Sequence, residues 1–112
     1  MDQVEILIPR PTVNERAAFT ATAYFRDSSD STADAPSSAD YRIDDPITGR
    51  QIRDWTTLTA AASIAIAITD DDNAVQGCAD REMRQITVRG NAGDSQAVGR
   101  ALWVVENLVG TR

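Results

Sequence analysis

The chain predicts an all-β protein built as one two-sheet sandwich, and three observations predict it. Ile64, Ile66 and Ile68 alternate strictly with Ser63, Ala65, Ala67 and Thr69, the period-2 pattern of a half-buried strand. Phe19, Ala21, Ala23 and Phe25 alternate in the same way with Thr20, Thr22, Tyr24 and Arg26. Turn residues then recur at short intervals between such runs, and only one stretch carries helical signals.

The elements follow in order. Residues 3–9 predict a first strand with Val4, Ile6 and Ile8 on one face. Pro9 and Pro11 end it or leave it as an edge strand, because proline cannot donate to a ladder. Residues 16–26 form the second strand. Residues 27–38, DSSDSTADAPSS, are small and polar without period and predict a flexible loop. The third strand spans 39–44, with Tyr41 and Ile43 on one face and Asp40, Arg42 and Asp44 on the other. Asp45-Pro46-Ile47-Thr48-Gly49 is turn chemistry, since proline presets φ and glycine supplies φ > 0. The fourth strand, 50–56, carries Trp55, which is expected to anchor the core because a large aromatic buries so much area. After the fifth strand, 62–69, the acidic run Asp70-Asp71-Asp72-Asn73 suits the start of a short helical turn and Gly77 its end. The sixth strand, 81–90, places Arg84, Ile86 and Val88 on one face. Residues 90–95 make a turn. The last strand, 97–107, is apolar on both faces: Leu102 and Val104 on one, Ala101, Trp103 and Val105 on the other. An apolar pair of faces means a central strand or one covered by another chain. About seven strands with one short helical turn predict a single antiparallel sandwich over 1–112 of the immunoglobulin-like or fibronectin-III-like kind. A jelly roll would want an eighth strand.

Composition narrows the chemistry. The chain has 112 residues, enough for one core, and a formal net charge of −6, which argues against binding nucleic acid or an anionic membrane. It contains no His, so the usual base near neutral pH is missing. All eleven basic residues are Arg; with no Lys either, the usual serine and cysteine nucleophile arrangements are not available. The single Cys78 cannot form an internal disulfide and reads as a packed or loop thiol rather than a nucleophile. Asp70, Asp71 and Asp72 do not follow an EF-hand spacing, and loop solvation and capping account for them; no metal or cofactor is expected. Nothing reads as a signal peptide, and no apolar run approaches the roughly 20 residues of a membrane span. Synthesis in a cytoplasm is expected.

Tyr41-Arg42-Ile43-Asp44, Thr48-Gly49, Asp54-Trp55-Thr56, Ile64 to Thr69, Asn73-Ala74 and Glu82 to Val88 resemble a recurring pattern in small phage and prophage structural proteins. Thr20 to Arg26 is similar to the strand that opens the same pattern. The resemblance spans about residues 17–107, and its motifs are structural rather than catalytic. It implies an immunoglobulin-like virion component made in the bacterial host and working through contacts with other virion proteins and with further copies of itself. A capsid decoration protein is the expected role. A tail or head–tail junction component, or a carbohydrate- or surface-binding module, are the alternatives. The expected docking elements are an extended arm, 1–13, and the last strand, with Ile6, Ile8, Ala101, Trp103 and Val105 as the interface.

Overall fold

A computed structural model describes residues 2–77 and 80–107 of the chain. Eight strands run in the order β1 (Gln3–Leu7), β2 (Thr12–Asn14), β3 (Phe19–Arg26), β4 (Ser38–Asp44), β5 (Gln51–Leu58), β6 (Ser63–Ile68), β7 (Arg81–Ala92) and β8 (Ser95–Glu106). They form a three-stranded sheet, β1-β3-β6, and a five-stranded sheet, β2-β8-β7-β4-β5. The expected all-β sandwich is what the chain forms.

Two details differ from expectation. Among the described residues there are eight strands rather than seven, and one pairing is parallel. Both come from Pro9 and Pro11, which break the N-terminal strand in two. β1 stays beside β3, and β2 crosses to the other sheet, where Thr12 and Val13 run parallel to Val104 and Val105. The expected docking arm 1–13 is therefore part of the sandwich from Gln3 onward, contributing a strand to each sheet. The expected flexible loop 27–38 is held by an Arg26–Ala33 bridge, an Asp34 N–H to Phe25 C=O bond and the buried Pro36.

The core lies between the sheets. Ala21, Ala23, Phe25, Ile64, Ile66 and Ile68 come from one side, and Tyr41, Ile43, Ile86, Val88, Trp103 and Val105 from the other. Small alanines in β3 let the sheets close. Gly90 serves the same end, since a Cβ there would run into the Phe25 ring.

One end of the sandwich is tied by buried polar groups. The acidic run forms a single 3-10 turn, Asp71–Asn73, capped by Asp70 and ended by Ala74 rather than Gly77. Arg84 shares the inner face with Ile86 and Val88 and is completely buried. Its guanidinium donates to the carbonyls of Asp72, Met83 and Ala74 and to Glu82, so its charge and most of its N–H groups are matched. Trp103 Nε1 donates to Asn73 Oδ1 at 2.7 Å, and Asn73 Nδ2 donates to the Ala17 carbonyl at 2.6 Å. That chain of bonds locks β8, the 3-10 turn and the β2–β3 connection together.

Candidate functional site

The outer face of the five-stranded sheet presents a regular grid of side chains. Register sets the rows. Val98, Arg89 and Asp40 stand in one, Arg100, Thr87 and Arg42 in the next, Leu102, Gln85 and Asp44 in the third, and Val104 with Met83 in the last. Along β8, Gln96, Val98, Arg100, Leu102 and Val104 point outward, while Ala97, Trp103 and Val105 are buried. Val98 and Leu102 are 45% and 50% exposed. β8 thus lays an apolar stripe, interrupted by Arg100, along one side of the grid.

Trp55 stands on the other side. Leu58 and Thr56 lie opposite Ala39 and Tyr41 and so fix the inner face of β5; Trp55, one residue earlier, faces out. A bulge there sets Asp54 and Trp55 together against Arg42, and β5 is shifted again before Gln51. The shift returns Arg53 to the side of Ile43, where it reaches over the sheet end to Asp72 Oδ1 at 2.9 Å.

The Trp55 ring is held by two arginines. Arg89 Cζ sits 3.8 Å from its centroid and Arg42 Cζ 5.6 Å. Each guanidinium is also gripped in its own plane by a carboxylate. Arg89 donates twice to Asp40, both at 2.7 Å, and Arg42 donates twice to Asp44, at 2.8 and 2.6 Å. These bonds hold both guanidinium groups above their ordinary pKa. These part-buried pairs are still screened by water and add little net stability. Their effect is geometric: Asp40, Arg89, Trp55, Arg42 and Asp44 form a ladder of long side chains already fixed in place, so little rotamer entropy remains to be lost when something binds.

None of the five residues expected at an interface lies on this face, and two of them are in the core. Trp103 and Val105 are fully buried in the core, with Trp103 edge-to-face on Phe19 at 5.3 Å. Ile6, Ile8 and Ala101 pack against that core. For Trp103 and Val105 the expectation is corrected for a physical reason: β8 is apolar on both faces, but the polar Gln96, Arg100 and Glu106 share the register of Leu102. That set must face water, and Trp103 goes inside. Trp55 and Trp103 thus exchange their expected places. The signal for the true outer face was present in the positions of those three polar residues.

The remaining hollows and carboxylates do not converge. Asp70 accepts from the Asp71 N–H, Asp71 is exposed with Arg16 at 3.6 Å, and Asp72 is buried on Arg53 and Thr69. A cleft of about 140 Å³ between the β4–β5 turn and the 74–77 segment holds Asp45, Arg50, Gln76 and Glu82. Burial pushes the Glu82 carboxyl up, but the N–H groups of Gln76 and Gly77 and the Arg84 guanidinium more than reverse this, leaving it below its ordinary value. An open groove of about 400 Å³ beside β2 and the start of β3 has Arg10 as the ionisable side chain in its lining. Among the described residues no group of three or more Cys, Asp or Glu is placed to hold a metal ion. Cys78 lies outside the described residues.

The fold and this face define a class: an all-β two-sheet sandwich that presents a fixed, mixed apolar and charged surface on its five-stranded sheet. Comparison with family models, with curated proteins and with solved structures returned no match.

Proposed function

We propose that the chain is a non-catalytic virion structural protein of a phage, a capsid decoration subunit that docks through the outer face of its five-stranded sheet. The observation that carries this reading is the half-exposed Val98–Leu102 stripe beside the ladder fixed around Trp55. Covering the remaining exposed area of Val98 and Leu102 yields roughly 1 kcal/mol each. That is small for one copy, and it suits a protein whose retention depends on many copies set against a repeating lattice. The resemblance of residues 17–107 to small phage structural proteins supports the virion setting. Its partners are then capsid subunits and neighbouring copies. The Trp55 ring argues for this reading over carbohydrate binding, because Arg89 already covers one ring face that a sugar would stack on.

The test uses particles of the encoding phage assembled with Leu102→Glu protein. Leu102 is half-exposed, so the variant should fold with an unchanged far-ultraviolet spectrum and be lost from purified particles. Undiminished occupancy of the particle by Leu102→Glu would overturn the proposal, as would absence of the wild-type chain from particles altogether.

A further inference from the structure

Each sheet of this sandwich has two edges, and three of the four are blunted. β1 is closed off by β8: Val4 approaches so near that a Cβ on Gly99 would lie 3.0 Å from the Val4 carbonyl oxygen. β2 is only three residues long and follows Pro11. β5 is shifted twice and carries Arg53 and Asp54. These are the devices by which proteins keep edges from pairing. β6 has none of them. Its sequence, Ser63-Ile64-Ala65-Ile66-Ala67-Ile68, contains no charge and no proline, and its register with β3 is unbroken.

The direction of its free backbone groups can be assigned. The Phe25 N–H donates to the Ala62 carbonyl at 2.8 Å. By the alternation of an antiparallel ladder, Ile64, Ile66 and Ile68 then turn their N–H and C=O toward β3, and Ser63, Ala65 and Ala67 turn theirs away. No strand lies on that side among the described residues. One step further, the Thr69 N–H, which follows the same alternation, is capped by Asp72 Oδ2 at 2.8 Å. The chain therefore closes the edge at Thr69 and leaves it open over Ser63 to Ala67.

We propose that β6 pairs antiparallel with β6 of a second copy about a twofold axis at Ala65, joining two three-stranded sheets into one of six strands. In this register Ala65 faces the partner's Ala65, and Ser63 faces the partner's Ala67. All the outward N–H and C=O groups of Ser63, Ala65 and Ala67 are then used. The side chains beside the seam on the outer surface are Ser63, Ala65 and Ala67, all small and exposed, so nothing blocks the approach. On the inner side the isoleucine row of one copy continues into that of the other. Charge selects the orientation. Antiparallel pairing sets the exposed Asp70–Asp71 turns roughly 20–35 Å apart along the strands, beyond the screening length, whereas parallel pairing would set them side by side. This surface is on the opposite sheet from Leu102, so its failure would leave the docking face untouched.

Sedimentation equilibrium and residue-resolved amide exchange on the full chain test the proposal, over roughly 1 to 500 μM. The expected result is a dimer at the upper end, with the amides of Ser63, Ala65 and Ala67 protected as the dimer forms. Ala65→Pro removes one donor per copy at the twofold and leaves the β3 ladder intact; it should weaken the dimer roughly thirtyfold. Ala65→Lys opposes two ammonium groups there and should do likewise. Ala65→Val, a good strand former, should leave the dimer intact. Near-ultraviolet circular dichroism from buried Trp103 checks folding, and if the proline variant unfolds, the lysine variant and the wild-type exchange pattern decide. A chain that stays monomeric with those three amides unprotected overturns the proposal. So does a dimer indifferent to both substitutions, or protection that appears only when a strand from a different protein is added.

Discussion

Replacing Trp103 with Phe is the sharpest probe of the core. The indole is fully buried, meets Phe19 edge-on, and donates to Asn73 Oδ1, which has no exposure to water. Phenylalanine keeps an aromatic ring but removes the donor. The orphaned Asn73 oxygen costs about 1–3 kcal/mol, and the space left by the smaller ring adds roughly 1 kcal/mol. The sum, about 2–4 kcal/mol, is a large share of the roughly 5–15 kcal/mol that holds a domain of this kind together. Urea unfolding followed by far-ultraviolet circular dichroism should show a lower midpoint at unchanged slope. The Trp103→Phe and Asn73→Ala changes should couple in a double-mutant cycle, because each removes the same bond. Trp55→Ala, which strips a partly buried ring from two arginines at the sheet surface, should cost less than truncating the fully buried Trp103 to Ala. A Trp103→Phe cost below about 0.5 kcal/mol, strict additivity with Asn73→Ala, or a larger loss at Trp55 than at Trp103 would refute the reasoning.

Three further outcomes follow from the same geometry. Arg84→Met should destabilise by about 3–5 kcal/mol in urea titration, since it strands the Asp72, Met83 and Ala74 carbonyls and leaves Glu82 without its buried cation; a neutral result would mean the buried guanidinium is dispensable. Gly90→Ala should cost roughly 1–3 kcal/mol by forcing the Phe25 ring aside, and a crystal structure of the variant should show that ring displaced. Glu82 is depressed below its ordinary value of 4.5, so its contribution is fully present above that pH and is lost as pH falls through the lowered value. The melting-temperature gap between wild type and Glu82→Gln should accordingly be constant above about pH 5 and shrink in acid; a gap that widens in acid would contradict the sign.

How far the chain could be read depended on how local the cause was. β3 and β6 were legible because Ala21, Ala23 and Phe25, and Ile64, Ile66 and Ile68, each repeat at the period of the pleat. The β4–β5 turn was legible because Asp45 Oδ1 accepts from Ile47 and Thr48 and Gly49 takes φ +77°, which is local chemistry. The place of Trp55 was not, because it depends on the bulge against Arg42, and bulges leave no periodic trace. β2 escaped notice because a three-residue parallel pairing carries no alternation. Alternation places Arg84 on the face of Ile86 and Val88, but what lets it stay charged there, the Asp72 and Ala74 carbonyls, comes from a distant turn and leaves no local trace. The outer face was half legible. Two-sided apolarity in β8 pointed to a contact strand, but choosing its outer side needed the register of Gln96, Arg100 and Glu106 rather than the size of Trp103.

The proposed docking surface is the outer face of β8, β7, β4 and β5. If the chain is a virion subunit as proposed, a cryo-EM map of the particle that carries it should show Val98, Leu102 and the Trp55 ladder beneath density from a neighbouring subunit. A map in which that face looks into solvent while another surface holds the chain would contradict it.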